Sequence, residues 1–127
     1  MSFLVSILVF GIVIMIHELG HFVVAKKSGI KVNEFSIGMG PRLAGVKRGE
    51  TEYSIRALPI GGYVAMEGED EESDDERSLM RQSFWKKLLI FAAGAIMNFV
   101  AGLLLVRMDT VPNYIYLFNM LRHFAYR

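Results

Sequence analysis

Cysteine is absent from this chain, which excludes a disulfide framework and restricts any bound metal to nitrogen and oxygen donors. An excess of charge of one sign is absent too: 14 Lys and Arg stand against 13 Asp and Glu, a net charge of +1. No polyanionic partner is expected on that balance, and no nucleic-acid-binding signature is present. No basic residue precedes the first apolar run, and no small-x-small cleavage site follows it. The run therefore reads as a retained helix and not as a cleaved signal peptide. What the chain does have is apolar residues, 53% of the total, gathered in blocks instead of spread at the periodicity of a soluble core.

The first block, residues 3–25, is 23 residues long. At about 1.5 Å per residue it is long enough to cross a hydrocarbon core of about 30 Å. Inside it stand His17, Glu18 and His21, in the order His17-Glu18-Leu19-Gly20-His21. Ionisable groups in such a segment are expensive to bury and usually mark a function. Positions four apart differ by only about 40° around a helix, so His17 and His21 share one face and can direct imidazole nitrogens at one ion, with zinc the best fit. Glu18, about 60° from His21, suits a general base that is not itself a ligand. Zinc in such a site activates water and polarises a scissile carbonyl, the chemistry of a metallopeptidase. The bland alternative is two histidines that merely satisfy hydrogen bonds. Gly20 leaves a bare patch for the close approach of a helix or an extended peptide.

A second block, residues 88–106, also suffices for one span. Eleven of the 14 Lys and Arg lie between the two blocks. By the positive-inside rule the intervening segment is cytoplasmic and the N-terminus lies outside. Phe84 and Trp85 sit where an interfacial aromatic anchor is expected. Ala93-Gly94-Ala95 and Ala101-Gly102 make one side of the second helix small, which suits close packing on the first. Asn98, polar in mid-membrane, reads either as a helix-helix hydrogen bond or as a hold on substrate backbone near the metal.

Between the blocks, residues 32–66 alternate in a β-like pattern: Tyr53, Ile55 and Ala57 interleave with Glu52, Ser54 and Arg56. Glycine and proline punctuate the stretch, and a small membrane-associated sheet of about four short strands is expected. Its edge either receives an extended substrate by strand addition, with Gly61 and Gly62 as substrate-binding positions, or simply caps the helices. Residues 67–83 form an acidic linker, with eight carboxylates between Glu67 and Glu76, read as solvated chain.

Four ordered stretches carry a family resemblance: His17 to His21, Glu34-Phe35-Ser36-Ile37-Gly38-Met39-Gly40-Pro41, Leu58-Pro59-Ile60-Gly61-Gly62-Tyr63-Val64, and Ala93-Gly94-Ala95-Ile96-Met97-Asn98-Phe99. Together they resemble the bacterial site-2 protease family of intramembrane zinc metalloproteases. The resemblance implies His17 and His21 as Zn2+ ligands, Glu18 as base, and a membrane-reentrant sheet that receives substrate. It also implies a multi-pass protein of the bacterial inner membrane acting on transmembrane substrates such as anti-sigma factors.

The fold class expected is membrane α-helical, two transmembrane helices around a small β-sheet, truncated relative to the family. Residues 1–107 make the N-terminal part of a protease core, and 108–127 an atypical tail. Family members carry a later helix with a Leu-Asp-Gly motif, whose Asp is the third zinc ligand, and commonly a PDZ domain; neither is found here. Asp109 follows the second span and so stands on the opposite side from the histidines. A segment outside the chain is therefore expected to supply the third ligand. Two other readings stay open: a non-catalytic membrane protein that keeps the fold and binds substrates or partners, and a membrane metal-handling protein.

Overall fold

The computed structural model describes residues 2–108 and 122–123, and in it four elements follow one another: helix α1 (Ser2–Lys27), strands β1 (Val32–Arg48) and β2 (Thr51–Met66), and helix α2 (Phe84–Met108). Asp109 and all of the expected tail except Met108, Arg122 and His123 lie outside the described residues. Both helices run further than their apolar blocks. α1 continues through Lys26 and Lys27, whose charge complements the carbonyl end of the helix dipole. It stops in a Schellman turn: Gly29 takes φ +80°, its N–H donates to Lys26 O at 3.2 Å, and Ile30 N–H donates to Ala25 O at 3.0 Å. α2 begins at Phe84, four residues ahead of the apolar run, because Lys86 and Lys87 are good helix formers and flank the span without interrupting it.

Residues 3–27 and 84–107 are each long and apolar enough to cross a membrane. Only 11% and 17% of their most apolar windows are buried within the chain. A core helix of a soluble protein would be covered far more than this.

The sheet is built from two long strands where four short ones were expected, yet bending restores four arms. β1 and β2 pair antiparallel about the Gly49-Glu50 turn, from Arg48 opposite Thr51 to Arg42 opposite Arg56, and again from Val32 opposite Met66 to Ile37 opposite Gly62. Glu34, Phe35, Ser36 and Ile37 also stand opposite Glu52, Tyr53, Ser54 and Ile55, ascending together. The first arm of β1 is thus flanked on both sides by β2. Such a fold-back needs tight corners. Gly38 and Gly40 provide one with φ of +85° and +80°, a region closed to most L-residues.

Alternation sorts the sheet into two unlike faces. Phe35, Ile37, Tyr53, Ile55 and Val46 share one face, and Phe22 of α1 packs there with its ring 4.8 Å from Phe35 and 6.0 Å from Tyr53. The other face gathers Glu34, Ser54, Arg56 and Tyr63 from three adjacent arms. Arg56 Nη2 donates to both Glu34 oxygens, at 2.9 and 3.1 Å, and Tyr63 O–H donates to the same carboxylate at 2.5 Å. Ser54 Oγ donates to Glu34, and Arg56 Nη1 reaches Gly40 O at 2.9 Å, so the corner is tied to the arms. Burial works against the Glu34 charge, but the bonds from Ser54, Tyr63 and Arg56 hold its carboxyl below the usual range. Burial and the bond to Glu34 push the Tyr63 hydroxyl up to about 12.

The tightest packing lies where the Lys26 end of α1, the start of α2 and the open end of the sheet converge. Ala25, Ile30, Val32, Val64, Met66, Leu79 and Ile90 form that core. Full burial of a side chain such as Ile30, Leu79 or Ile90 stabilises by about 1.5–3 kcal/mol. Leu79 belongs to the segment read as solvated linker, and there the structure differs. Asp70 to Glu72, Asp74 and Glu76 stand in solvent, but the segment is pinned at other points. Leu79 N–H donates to Glu67 O, and Lys31 N–H to Arg77 O. Lys31 pairs with Glu67 at 2.8 Å and Asp75 at 3.2 Å, while Glu50 is held between Lys26 and Arg77. Hydrogen bonds from Arg77 and Lys26 bring Glu50 down to about 2, and those from Lys31, Ser73 and Asn33 do the same for Glu67. A carboxylate count alone conceals that Glu67 and Asp75 tie the segment to Lys31, that Asp74 pairs with Arg81, and that Leu79 is buried as an anchor.

Candidate metal centre

The His17-to-His21 segment is gripped from two sides. At about 100° per residue, Gly11, Ile14, Glu18, Phe22 and Ala25 lie within roughly 80° of one another around α1. The sheet packs along this stripe. Gly11 lies against the Pro59 to Gly61 backbone, where an added Cβ would stand 3.4–3.6 Å from Gly61 N, Pro59 O and Ile60 Cα. Gly61 in turn faces Ile14, and Phe22 closes the other end. Glu18 therefore stands in the middle of the sheet-facing stripe, one turn from each contact. It is half-buried and makes no hydrogen bond or ion pair among the described residues.

The opposite side of the segment belongs to α2. A Cβ on Gly20 would come within 2.5 Å of Ala93 O and 2.9 Å of Met97 Cβ, so the two backbones touch where only glycine fits. The small side of α2 read from Ala93 and Gly94 faces α1, whereas Gly102 meets nothing within 4 Å. Gly94 has a more particular role. A Cβ there would lie 2.5 Å from His17 Nε2 and 2.6 Å from both Cδ2 and Cε1. Near-equal distances to three adjacent ring atoms place the flat face of the imidazole over Gly94, leaving the in-plane lone pair of Nε2 unobstructed. The glycine is a seat for the ring.

α2 also acts on the inner nitrogens. His21 Nδ1 lies 2.7 Å from Ile90 O. A carbonyl oxygen only accepts, so in the neutral ring Nδ1 carries the proton and Nε2 keeps its lone pair. Asn98 Nδ2 lies 3.4 Å from His17 Nδ1. The two rings meet edge to face with centroids 4.7 Å apart. Both Nδ1 atoms are thus engaged by α2, and neither Nε2 has a partner among the described residues. For His21 this is the arrangement of a metal-ligating histidine, whose second nitrogen donates to a carbonyl; His17 has a carboxamide in that place. The donor set and the glycine seat fit a zinc ion bound through His17 and His21.

Two donors are not a full set. Among the described residues no cluster of three or more His, Cys, Asp or Glu is placed to hold a metal. Gly61 and Gly62, read as substrate-binding positions, have their open sides taken by the protein itself: Ile14 faces Gly61, and a Cβ on Gly62 would stand 2.3 Å from Ser36 O. Ile90 was invisible to sequence reasoning, because a backbone carbonyl leaves no side-chain signature. Gly94 was legible only as a small packing residue.

Known proteins resemble this chain over most of its length. The profile of peptidase family M50 matches residues 5–121. A Clostridium perfringens protein is 53% identical over 105 residues, and one from Clostridium acetobutylicum is 55% identical over 104, both provisionally named as zinc metalloproteases. The matches cover 83% and 82% of this chain and 31% of each relative. The zinc metalloprotease Rip1 of Mycobacterium tuberculosis is 36% identical over 115 residues, 84% of this chain and 28% of that protein. The chain thus spans less than a third of the length of these relatives.

Proposed function

This chain belongs to peptidase family M50, and from that membership we propose that α1, the sheet and α2 form the N-terminal part of the catalytic core of an intramembrane zinc metalloprotease. One observation carries the reading. Two histidines one turn apart in an apolar helix have both Nδ1 atoms engaged by a second helix and both Nε2 atoms open, beside a carboxylate that nothing ties down. His17 and His21 hold the ion. Zinc, when bound, supplies the Lewis acidity that activates water and polarises a peptide carbonyl. Glu18 takes the proton from the attacking water and passes it to the leaving amine, as a general base and then a general acid. A carboxylate outside the described residues completes the ligand set. The substrates are transmembrane proteins such as anti-sigma factors.

On the same reading the protein lies in the bacterial plasma membrane as a multi-pass chain with its N-terminus outside. Large apolar side chains such as Phe3, Leu4, Phe10, Phe99 and Leu104 are uncovered along both helices, which suits lipid contact. Phe84 and Trp85, 68% and 74% exposed, sit beside Lys86 and Lys87 as an interfacial anchor. A reporter fused after Gly68 should therefore behave as cytoplasmic, and one fused after Arg127 as extracytoplasmic. The reverse pattern would overturn the orientation.

A second reading rests on the incomplete donor set: a non-catalytic protein that keeps the fold and binds substrates or partners. Purifying the chain alone, and the chain joined to a helix with an inward-facing Asp, separates the two. The first should bind zinc weakly and turn nothing over, because a catalytic zinc normally has three protein ligands. The second should retain zinc and cleave a transmembrane substrate in a chelator-sensitive way. Zinc retained without cleavage would favour the non-catalytic reading.

A further inference from the structure

His21 has its tautomer set by Ile90 O, an atom that can only accept. His17 has no carbonyl in that place. Its Nδ1 faces the carboxamide of Asn98 at 3.4 Å. A carboxamide is planar, with oxygen and NH2 of nearly the same outline, so a half-turn offers Nδ1 an acceptor or a donor. The two choices have opposite consequences. With NH2 towards the ring, Nδ1 accepts and Nε2 must carry the proton, in a direction that has no acceptor among the described residues. With oxygen towards the ring, Nδ1–H donates and the Nε2 lone pair faces outward, unobstructed by Gly94. The second choice turns the carboxamide N–H groups away from the ring, but it alone leaves Nε2 able to ligate, since a protonated ring nitrogen has no lone pair to give.

We propose that Asn98 is a positioning residue: its carboxamide oxygen accepts from His17 Nδ1–H and holds His17 in the tautomer that Ile90 O imposes on His21. Both Nε2 lone pairs are then presented together before any metal arrives. The inference rests on reading the two histidines as the metal-holding pair, but it concerns the resting state of the rings and is tested without metal or turnover. It also gives Asn98 a task that is neither a plain helix-helix bond nor a contact to substrate.

The experiment is nitrogen-15 NMR of the metal-free 127-residue chain, labelled at histidine and held in detergent micelles at about pH 8.5, well above the ordinary imidazole range. His17 and His21 are assigned by single substitution. Both should show the Nδ1–H pattern. In Asn98→Leu, His17 should move towards the Nε2–H form that an unrestrained imidazole favours, while His21 stays as it was. Asn98→Asp, whose carboxylate only accepts, should keep His17 as in the parent. An Nε2–H signature at His17 in the parent chain would overturn the proposal, as would an unchanged His17 in Asn98→Leu with the His21 signal intact. Should Asn98→Leu fail to fold, with both signals lost, the parent spectrum and Asn98→Asp still decide: Nε2–H at His17 in either one defeats the proposal.

Discussion

Glu18→Gln should lower cleavage of a transmembrane substrate by about 10²- to 10⁴-fold, the range that a positioned general base contributes, while zinc stays bound. The measurement belongs on the chain joined to its Asp-bearing helix, with bound metal determined on the same preparation. The two readouts are expected to separate because Glu18 lies on the sheet-facing stripe of α1, beside the histidines but outside the pair whose inner nitrogens α2 holds. A glutamine keeps the shape and cannot take a proton. His17→Ala and His21→Ala remove a donor from a site that has few, so both should lose metal and cleavage together. Undiminished cleavage in Glu18→Gln would dispose of the base; loss of zinc in the same variant would make Glu18 a ligand.

An effect of similar size is expected from a single methyl group. Gly94→Ala would place a Cβ 2.5 Å from His17 Nε2, closer than real Cβ contacts come. The imidazole must leave its seat, and zinc retention should collapse with little change in helix content. Gly20→Ala acts differently, because its obstacle is Ala93 O at 2.5 Å, a backbone atom that cannot swing aside. That variant should push the helices apart and lower stability by about 1–3 kcal/mol, the usual penalty of overpacking. Gly102→Ala is the control on the same helix. Nothing lies within 4 Å of its Cβ, and alanine gains about 0.5–1 kcal/mol over glycine in a helix, so metal retention should be unchanged. Equal behaviour of Gly94→Ala and Gly102→Ala would show that the ring does not rest on Gly94.

The metal-site reading and the sheet differ in how legible they were. The pair His17 and His21 is a local feature: helical periodicity alone puts them on one face, and no partner is needed to see it. Likewise, the alternation from Glu52 to Ala57 assigns Tyr53 and Ile55 to one face and Ser54 and Arg56 to the other, and the structure has them so. Strand count was harder. Bends at glycine turn two strands into four arms, and whether a bend ends a strand is decided by pairing with residues far along the chain. The acidic segment misled because composition averages over residues: of the neighbours Leu79 and Met80 only Leu79 is buried, and its burial depends on packing with Ile30, Val32 and Ile90.

Sequence by itself determined what depends on neighbours in the chain: two apolar helices, and two histidines and a glutamate at fixed angles around α1. Tertiary structure alone decided which atoms meet across the chain. It laid the imidazole of His17 over Gly94, put Ile90 O against His21 Nδ1 and Asn98 beside His17, and filled the open sides of Gly61 and Gly62 with the protein's own atoms. The reason is one of range. Helix angle and residue spacing repeat over a few residues, whereas a backbone carbonyl is the same chemical group at every position and acquires a role only when packing brings a donor to it.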